Sequence, residues 1–252
     1  MIEVLLKNGD NLQLDKFEDY SITVEAGASV TIKENDLSNS KINLYLLDDS
    51  NVKYSIINIK SSDTKRNIIL NKASNLSIVE ANICKTLDDT LIDINGEHAE
   101  VSVENLCVVD GYDQEIKTRI NHNGQSSNSK INNIGIAIKN SNILFDTTGY
   151  VKNGVPGCDC RQLSKGVIID SNSKITTRPI LLIDEYDVMA YHGAAIGKMS
   201  DDELFYLMSR GLTKTEAFML ILNGLIDPII SKLPESEGVE INKKLRELLK
   251  EN

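Results

Sequence analysis

The sequence contains no tryptophan, and aromatic residues make up only 5% of its 252 positions. A carbohydrate groove paved with stacking rings is therefore not expected. Histidine occurs three times, at positions 98, 122 and 192, too few to support a Ser/His/Asp constellation. No apolar run approaches the ~20 residues that cross a bilayer, and the opening MIEVLLKNGDNLQLDKF lacks the basic and apolar segments of a secretion signal. Together these absences lead us to expect a cytoplasmic protein with no membrane partner. Lysine and arginine number 27 against 37 acidic residues, giving a net charge of −10, and they form no stripe. That balance excludes a general nucleic-acid surface, which needs clustered cations. The four cysteines read as reduced thiols rather than a disulfide framework.

Two textures make up the chain. From the N-terminus to about Val188, short β-branched runs alternate with polar residues and are broken by Asn, Ser, Asp or Gly, as in NVKYSIINIK, NLSIVEANI and AEVSVENLCVV. Period-two alternation predicts strands, and the punctuation predicts tight turns. Val52-Tyr54-Ile56, Leu76-Ile78 and Val101-Val103 recur roughly every 24 residues, an interval expected of stacked repeats. Small polar residues precede the strands at Asp49-Ser50-Asn51, Ala73-Ser74-Asn75, Asn140-Ser141-Asn142 and Ser171-Asn172-Ser173, as corners of a coil would require. The expected fold is mainly β, a right-handed parallel β-helix (β-solenoid) over 1–199; an ordinary β-sandwich is the alternative. Both ends of such a coil need caps.

From Ser200 onward the texture is helical, giving an expected C-terminal α-helical subdomain over 200–252. Ser200-Asp201-Asp202-Glu203 and Thr213-Lys214-Thr215-Glu216 fit capping boxes. Gly211 stands where a left-handed residue ends a helix. Phe218, Leu222, Leu225 and Ile229 step along one face, and Asp227-Pro228 is expected to kink or restart that helix. GVEINKKLRELLKEN reads as a last amphipathic helix, and the whole helical segment as a cap.

Several short stretches carry candidate chemistry. Cys158-Asp159-Cys160 would project two thiols from one face of a strand, able to reach one metal, and Arg161 could lower a thiol pKa; the alternative is two small core residues. Cys84 and Cys107 read as core. GAAIGKMS, Gly193 to Ser200, has one residue too few between its glycines and Met199 where a phosphate loop has Ser or Thr. No nucleotide is therefore expected on this chain. Asp184, Glu185 and Asp187 read as a solvated acidic edge.

The junction of the two textures resembles the SufB/SufD family, scaffolds of SUF-type iron–sulfur cluster assembly. The resemblance rests on Thr177-Arg178-Pro179 with ILLID, Asp187-Val188, His192-Gly193-Ala194, Gly197-Lys198, Leu204-Phe205-Tyr206-Leu207 and Ser209-Arg210-Gly211-Leu212. Upstream, His122 with Ser126 to Ser129 and the stretch GCDCRQ continue the pattern, and EAFMLILNGLIDPIISKLP fits the family's terminal helices. The resemblance implies a non-enzymatic β-helix scaffold that pairs with a second SufB/SufD-type subunit, as a homo- or heterodimer, at His192, Gly193 and Ala194. It also implies a helical module that docks a SufC-like ABC-type ATPase through Phe205, Tyr206, Ser209, Arg210, Gly211, Phe218, Leu222 and Leu225. The implied cargo is a transient iron–sulfur cluster, with His192, Cys158 and Cys160 as candidate ligands; a hydrogen-bonded interfacial role is the other reading of His192. Gly193 follows the histidine as in SufD proteins, whereas SufB proteins have Glu. Ala190 stands where many SufD proteins carry Cys, and Ser173 where SufB proteins do. A β-helix enzyme acting on polysaccharide and a purely structural β-solenoid are the functional alternatives.

Overall fold

Alternating β-branched and polar residues wind the chain into a parallel β-solenoid in which each coil gives one strand to each of two sheets. The structure is a computed structural model that describes residues 1–250. The first sheet stacks β1 (Ile2–Leu6), β3 (Tyr20–Val24), β5 (Ser38–Leu46), β7 (Asp63–Leu70), β9 (Thr86–Ile94), β11 (Asp113–His122), β13 (Asn142–Val151) and β15 (Lys174–Ile183). The second stacks β2 (Asn11–Leu14), β4 (Ser29–Asn35), β6 (Asn51–Asn58), β8 (Asn75–Asn82), β10 (Glu100–Asp110), β12 (Asn128–Ile138), β14 (Cys158–Ile168) and β16 (Val188–Lys198).

The repeat interval seen in the sequence is one coil. Val52, Leu76 and Val101 pair in a single row that continues to Ser129, Cys160 and Ala190. The polar triplets are its corners. Asp49, Ala73, His98 and Ser126 all take φ between 50° and 59°, and each donates its N–H to a carbonyl of the next coil, such as Asp49 to Lys72 at 2.8 Å. The serines that follow turn back: Ser50, Ser74 and Ser127 donate to the carbonyls of Leu47, Asn71 and Gly124 at 2.6–2.7 Å. Gly96 and Gly124 stack at this corner because nothing larger fits. A Cβ on Gly96 would lie 2.0 Å from the Asn71 carbonyl carbon.

Inward positions build a core of Ile, Leu and Val, with a charged cluster sealed inside it. Arg66, wholly buried, donates to Glu34 (3.0 Å) and Asp88 (2.9 Å). Tyr54 also donates to Glu34, and Asn82 to Glu80 at 2.6 Å. Burial, followed by the Asp88 charge, raises Glu80 to about 8, so it is protonated at neutral pH.

Three helices follow: α1 (Asp201–Ser209), α2 (Lys214–Ile230) and α3 (Glu235–Lys250). Ser200 accepts from the Glu203 N–H at 3.3 Å, but only Thr213 and Glu216 close a capping box in both directions. Gly211 takes φ 99°, as a helix end requires. Pro228, expected to kink or restart that helix, does not restart it; it lies in the last turn of a continuous α2, which ends two residues later. Residues 251 and 252, read with the last helix, lie outside the described residues.

The helices do not cap the end of the coil, which corrects the expectation from sequence. Leu222, Ile226, Ile229 and Ile230 of α2 and Ile241 and Leu245 of α3 lie on the outer face of the second sheet. They cover Ile57, Val79, Ala81, Leu106, Val108, Ile134 and Ile136, which point outward from β6, β8, β10 and β12. The physical reason is that the outward residues in the C-terminal halves of these strands are apolar and need a cover. Among the described residues no helix is long and apolar enough to cross a membrane.

Candidate functional site

The C-terminal end of the coil is open. β15 and β16 pair only with β13 and β14, so each leaves one edge unpaired. In β16 the inward row Val188, Ala190, His192 and Ala194 stacks over Cys158, Cys160, Gln162 and Ser164. No coil lies above it, so Ala190, His192 and Ala194 are exposed although they occupy core positions. Met189 and Tyr191, which alternate with them, are 62% and 45% exposed, and Tyr186 in the preceding loop is 98% exposed. Gly193 sits close over Leu163, where a Cβ would come within 3.1 Å of a methyl group. The residues expected at an interface, His192, Gly193 and Ala194, are thus neighbours on a free edge. GAAIGKMS is extended strand for most of its length rather than a loop.

One coil inward, the second candidate group is sealed. Cys158 and Cys160 both point into the core and are 1% exposed. The Cys158 thiol donates to the Val155 carbonyl at 3.2 Å and lies 3.4 Å from the Ser127 hydroxyl. Burial raises the Cys160 pKa, only partly offset by its hydrogen bond to Ser129. Gly149 leaves room for this thiol, since a Cβ there would fall 2.5 Å from the sulfur. The expected action of Arg161 on these thiols is corrected: it points outward, donates to Asp159 at 2.7 and 2.8 Å, and lies 5.5 Å over the Tyr191 ring. Adjacent strand residues face opposite sides. Cys84 and Cys107 are buried, as read from sequence.

His122 completes this inner group, although sequence reasoning gave it no role. It is wholly buried, and its ring nitrogens lie 2.8 Å from the Ser127 and Ser129 hydroxyls. Burial lowers its pKa to about 4, against the smaller upward pull of Asp159. The hydroxyls therefore stand between the imidazole and the thiols. Among the described residues no three His, Cys, Asp or Glu side chains are grouped to hold a metal. Between the two levels, Gln162 donates to the Ile180 carbonyl at 3.2 Å, and its buried Oε1 has no partner. His192 stacks directly over Gln162. The signal that could have found His122 is its inward parity in β11, followed by serines at the next corner.

The acidic edge ties the loop before β16 to the coil. Asp184 accepts from the Tyr150 hydroxyl at 3.0 Å, and Glu185 from the Gly154 N–H at 2.8 Å. Backbone N–H groups lower the Glu185 pKa. Of the residues expected to dock an ATPase, Leu222 is wholly buried against the sheet, and Phe218 and Leu225 pack beside it. This face of α2 packs within the fold, with Phe218 and Leu225 left partly exposed. Phe205, 74% exposed, and Tyr206 with Ser209, Arg210 and Gly211 lie on the surface. No residue of α1 is buried.

Residues 6–225 match the family described as SUF system FeS cluster assembly, SufBD core domain. Over 156 residues the chain is 31% identical to the iron–sulfur cluster assembly protein SufD of Bacillus subtilis, covering 62% of this chain and 36% of that protein. A SufBD family protein of Mycobacterium leprae is 26% identical over 232 residues, covering 89% of this chain and 27% of its own length. One from Staphylococcus epidermidis is 24% identical over 256 residues, covering 95% and 54%. The chain thus spans between about a quarter and about half the length of these relatives.

Proposed function

This chain belongs to the SufBD core-domain family of SUF-system iron–sulfur cluster assembly, and from that premise we propose that it is a non-catalytic scaffold or adaptor subunit of an assembly complex. The match over residues 6–225 carries the reading. The open coil pairs with a second β-helix subunit, either another copy or a paralogue. Unpaired strand edges offer backbone donors and acceptors to such a partner, and Met189, Tyr191 and His192 flank the edge of β16.

The cluster is cargo. Iron–sulfur clusters take several ligands, mostly thiolates. His192 is an accessible donor here, while Cys158 and Cys160 are sealed with the Cys160 thiol held protonated, so the remaining ligands come from the partner. The exposed Phe205 and Tyr206 of α1, beside Arg210, form the docking surface for a SufC-like ABC-type ATPase, which binds the nucleotide. Closure of two such ATPases would shift the β-helix pair.

Anaerobic purification of the tagged chain from its own host, with mass spectrometry of what accompanies it, tests this reading. A near-stoichiometric ABC-type ATPase is expected, together with its loss on Phe205→Ser plus Tyr206→Ser. Point variants are preferable to removing 200–252, because truncation would bare the apolar outer face of the second sheet. Absence of any ATPase from gently purified complexes would overturn the proposal. Reconstitution of the complex with iron and sulfide then separates two roles. Visible absorption lost on His192→Ala marks a ligand, and no absorption at all marks an adaptor that never holds a cluster.

A further inference from the structure

A cleft of about 330 Å³ lies between the outer face of the second sheet and the turn that joins α2 to α3. Its floor is laid in rows by the strand register. Thr31, Lys53 and Ser77 share one outward row of β4, β6 and β8, and Ser55 and Val79 occupy the next. Lys232, Leu233 and Pro234 form the opposite wall.

Ser55 is the unexplained residue. It is only 5% exposed, and its hydroxyl has no hydrogen-bond partner among the described residues. A buried polar atom left unsatisfied is unusual and calls for a reason. Packing does not supply one, since the same row carries Val79 on the neighbouring strand. Charge points the same way. Lys33 pairs with Glu237 at 2.9 Å and Lys232 pairs with Glu104, so those two cations are neutralised locally. Lys53 makes no ion pair among the described residues, which leaves the cleft one positive charge in excess.

We propose that this cleft binds a phosphate-type oxyanion, with Lys53 supplying the charge and Ser55, Thr31 and Ser77 donating hydrogen bonds. The donors project from one face of three adjacent strands in two rows, so a compact anion can meet several of them at once. The planar arginine fork that usually partners a flat carboxylate is not among the lining residues. Leu233 and Pro234 add an apolar wall that would accommodate the carbon skeleton of a small organic phosphate. An occupant would also fasten the α2–α3 turn to the sheet. None of this depends on a cluster or an ATPase.

Thermal melting and titration calorimetry of the full chain with inorganic phosphate, against sodium chloride at matched ionic strength, test the site. Phosphate should raise Tm by mass action and chloride should not. Lys53→Ala should weaken phosphate binding by about tenfold or more, as loss of a charge-assisted bond does. Ser55→Ala is the decisive variant. Because the hydroxyl makes no bond in the free protein, its removal should leave Tm without phosphate unchanged or higher, while most of the phosphate-dependent rise disappears. Glycerol phosphate identifies the source: tighter binding than inorganic phosphate indicates an organic phosphate against the apolar wall, and weaker binding indicates the free anion. The proposal is overturned if phosphate gives no rise beyond chloride. It is equally overturned if Ser55→Ala lowers the basal Tm and keeps the phosphate response, since the hydroxyl would then serve the fold, through water.

Discussion

His122 and His192 occupy inward positions of the same solenoid, yet they live in different media. A coil stacks over His122, two serines take its ring nitrogens, and burial keeps it neutral. Nothing stacks over His192, and the position that elsewhere would be core faces solvent. In a stacked coil, what a residue can do depends on whether the winding continues past it. The sealed coils bury their inward side chains, and the open one leaves its own facing solvent.

The sealed side can be broken most severely at Arg66. Arg66→Met leaves Glu34 and Asp88 without their cation in the core, and loss of one member of a buried ion pair costs about 3–5 kcal/mol. Urea denaturation should show that drop; a loss below about 1 kcal/mol would mean that water enters the interior. The flank cover comes next. Leu222→Ala opens a cavity between α2 and the sheet, with an expected loss of about 2–5 kcal/mol by the same measurement. A near-neutral result would show that the helices do not hold the sheet's outer face.

His122 sharpens the comparison through pH. Its folded pKa of about 4 lies below its ordinary 6.5, so the folded chain binds its proton less readily than the unfolded chain. Its contribution to stability is therefore present above 6.5 and is lost as pH falls towards 4. Glu80, raised to about 8 from an ordinary 4.5, runs in the opposite sense and loses stability as pH rises between those values. The readout is therefore the difference between wild type and His122→Asn across pH 4–7. It should shrink on acidification, and a constant difference would place His122 in contact with solvent.

The coil was legible because two periodicities agree. Alternation sets the strand faces, and the recurrence of Val52, Leu76 and Val101 is the winding itself. The corners opened by Asp49 and Ala73 were visible as small polar triplets, whose serines, Ser50 and Ser74, turn a hydroxyl back on the chain. The helix cover was misread as an end cap, although the signal was present. LCVV at 106–109 and IGIAI at 134–138 are unbroken apolar runs, which imply burial on both faces of a strand. Arg161 was misassigned because strand parity sends it away from its cysteine neighbours. The exposure of His192 has no local signature, because it depends on a coil that does not follow.

The smallest structural effect should come from the residue with the largest proposed role. His192→Ala removes an exposed side chain that makes no hydrogen bond or ion pair among the described residues, and surface changes of this kind shift stability by no more than about 0.5 kcal/mol. His122→Ala instead leaves two buried serine hydroxyls without the imidazole, at about 1–3 kcal/mol. If His192 works at a subunit interface, its alanine variant should match wild type in denaturation yet dissociate more readily in sedimentation of the purified complex. Equal dissociation in both would remove His192 from the interface. A large loss of stability in the isolated chain would show that the last coil is closed, and the contrast between the two histidines would fail with it.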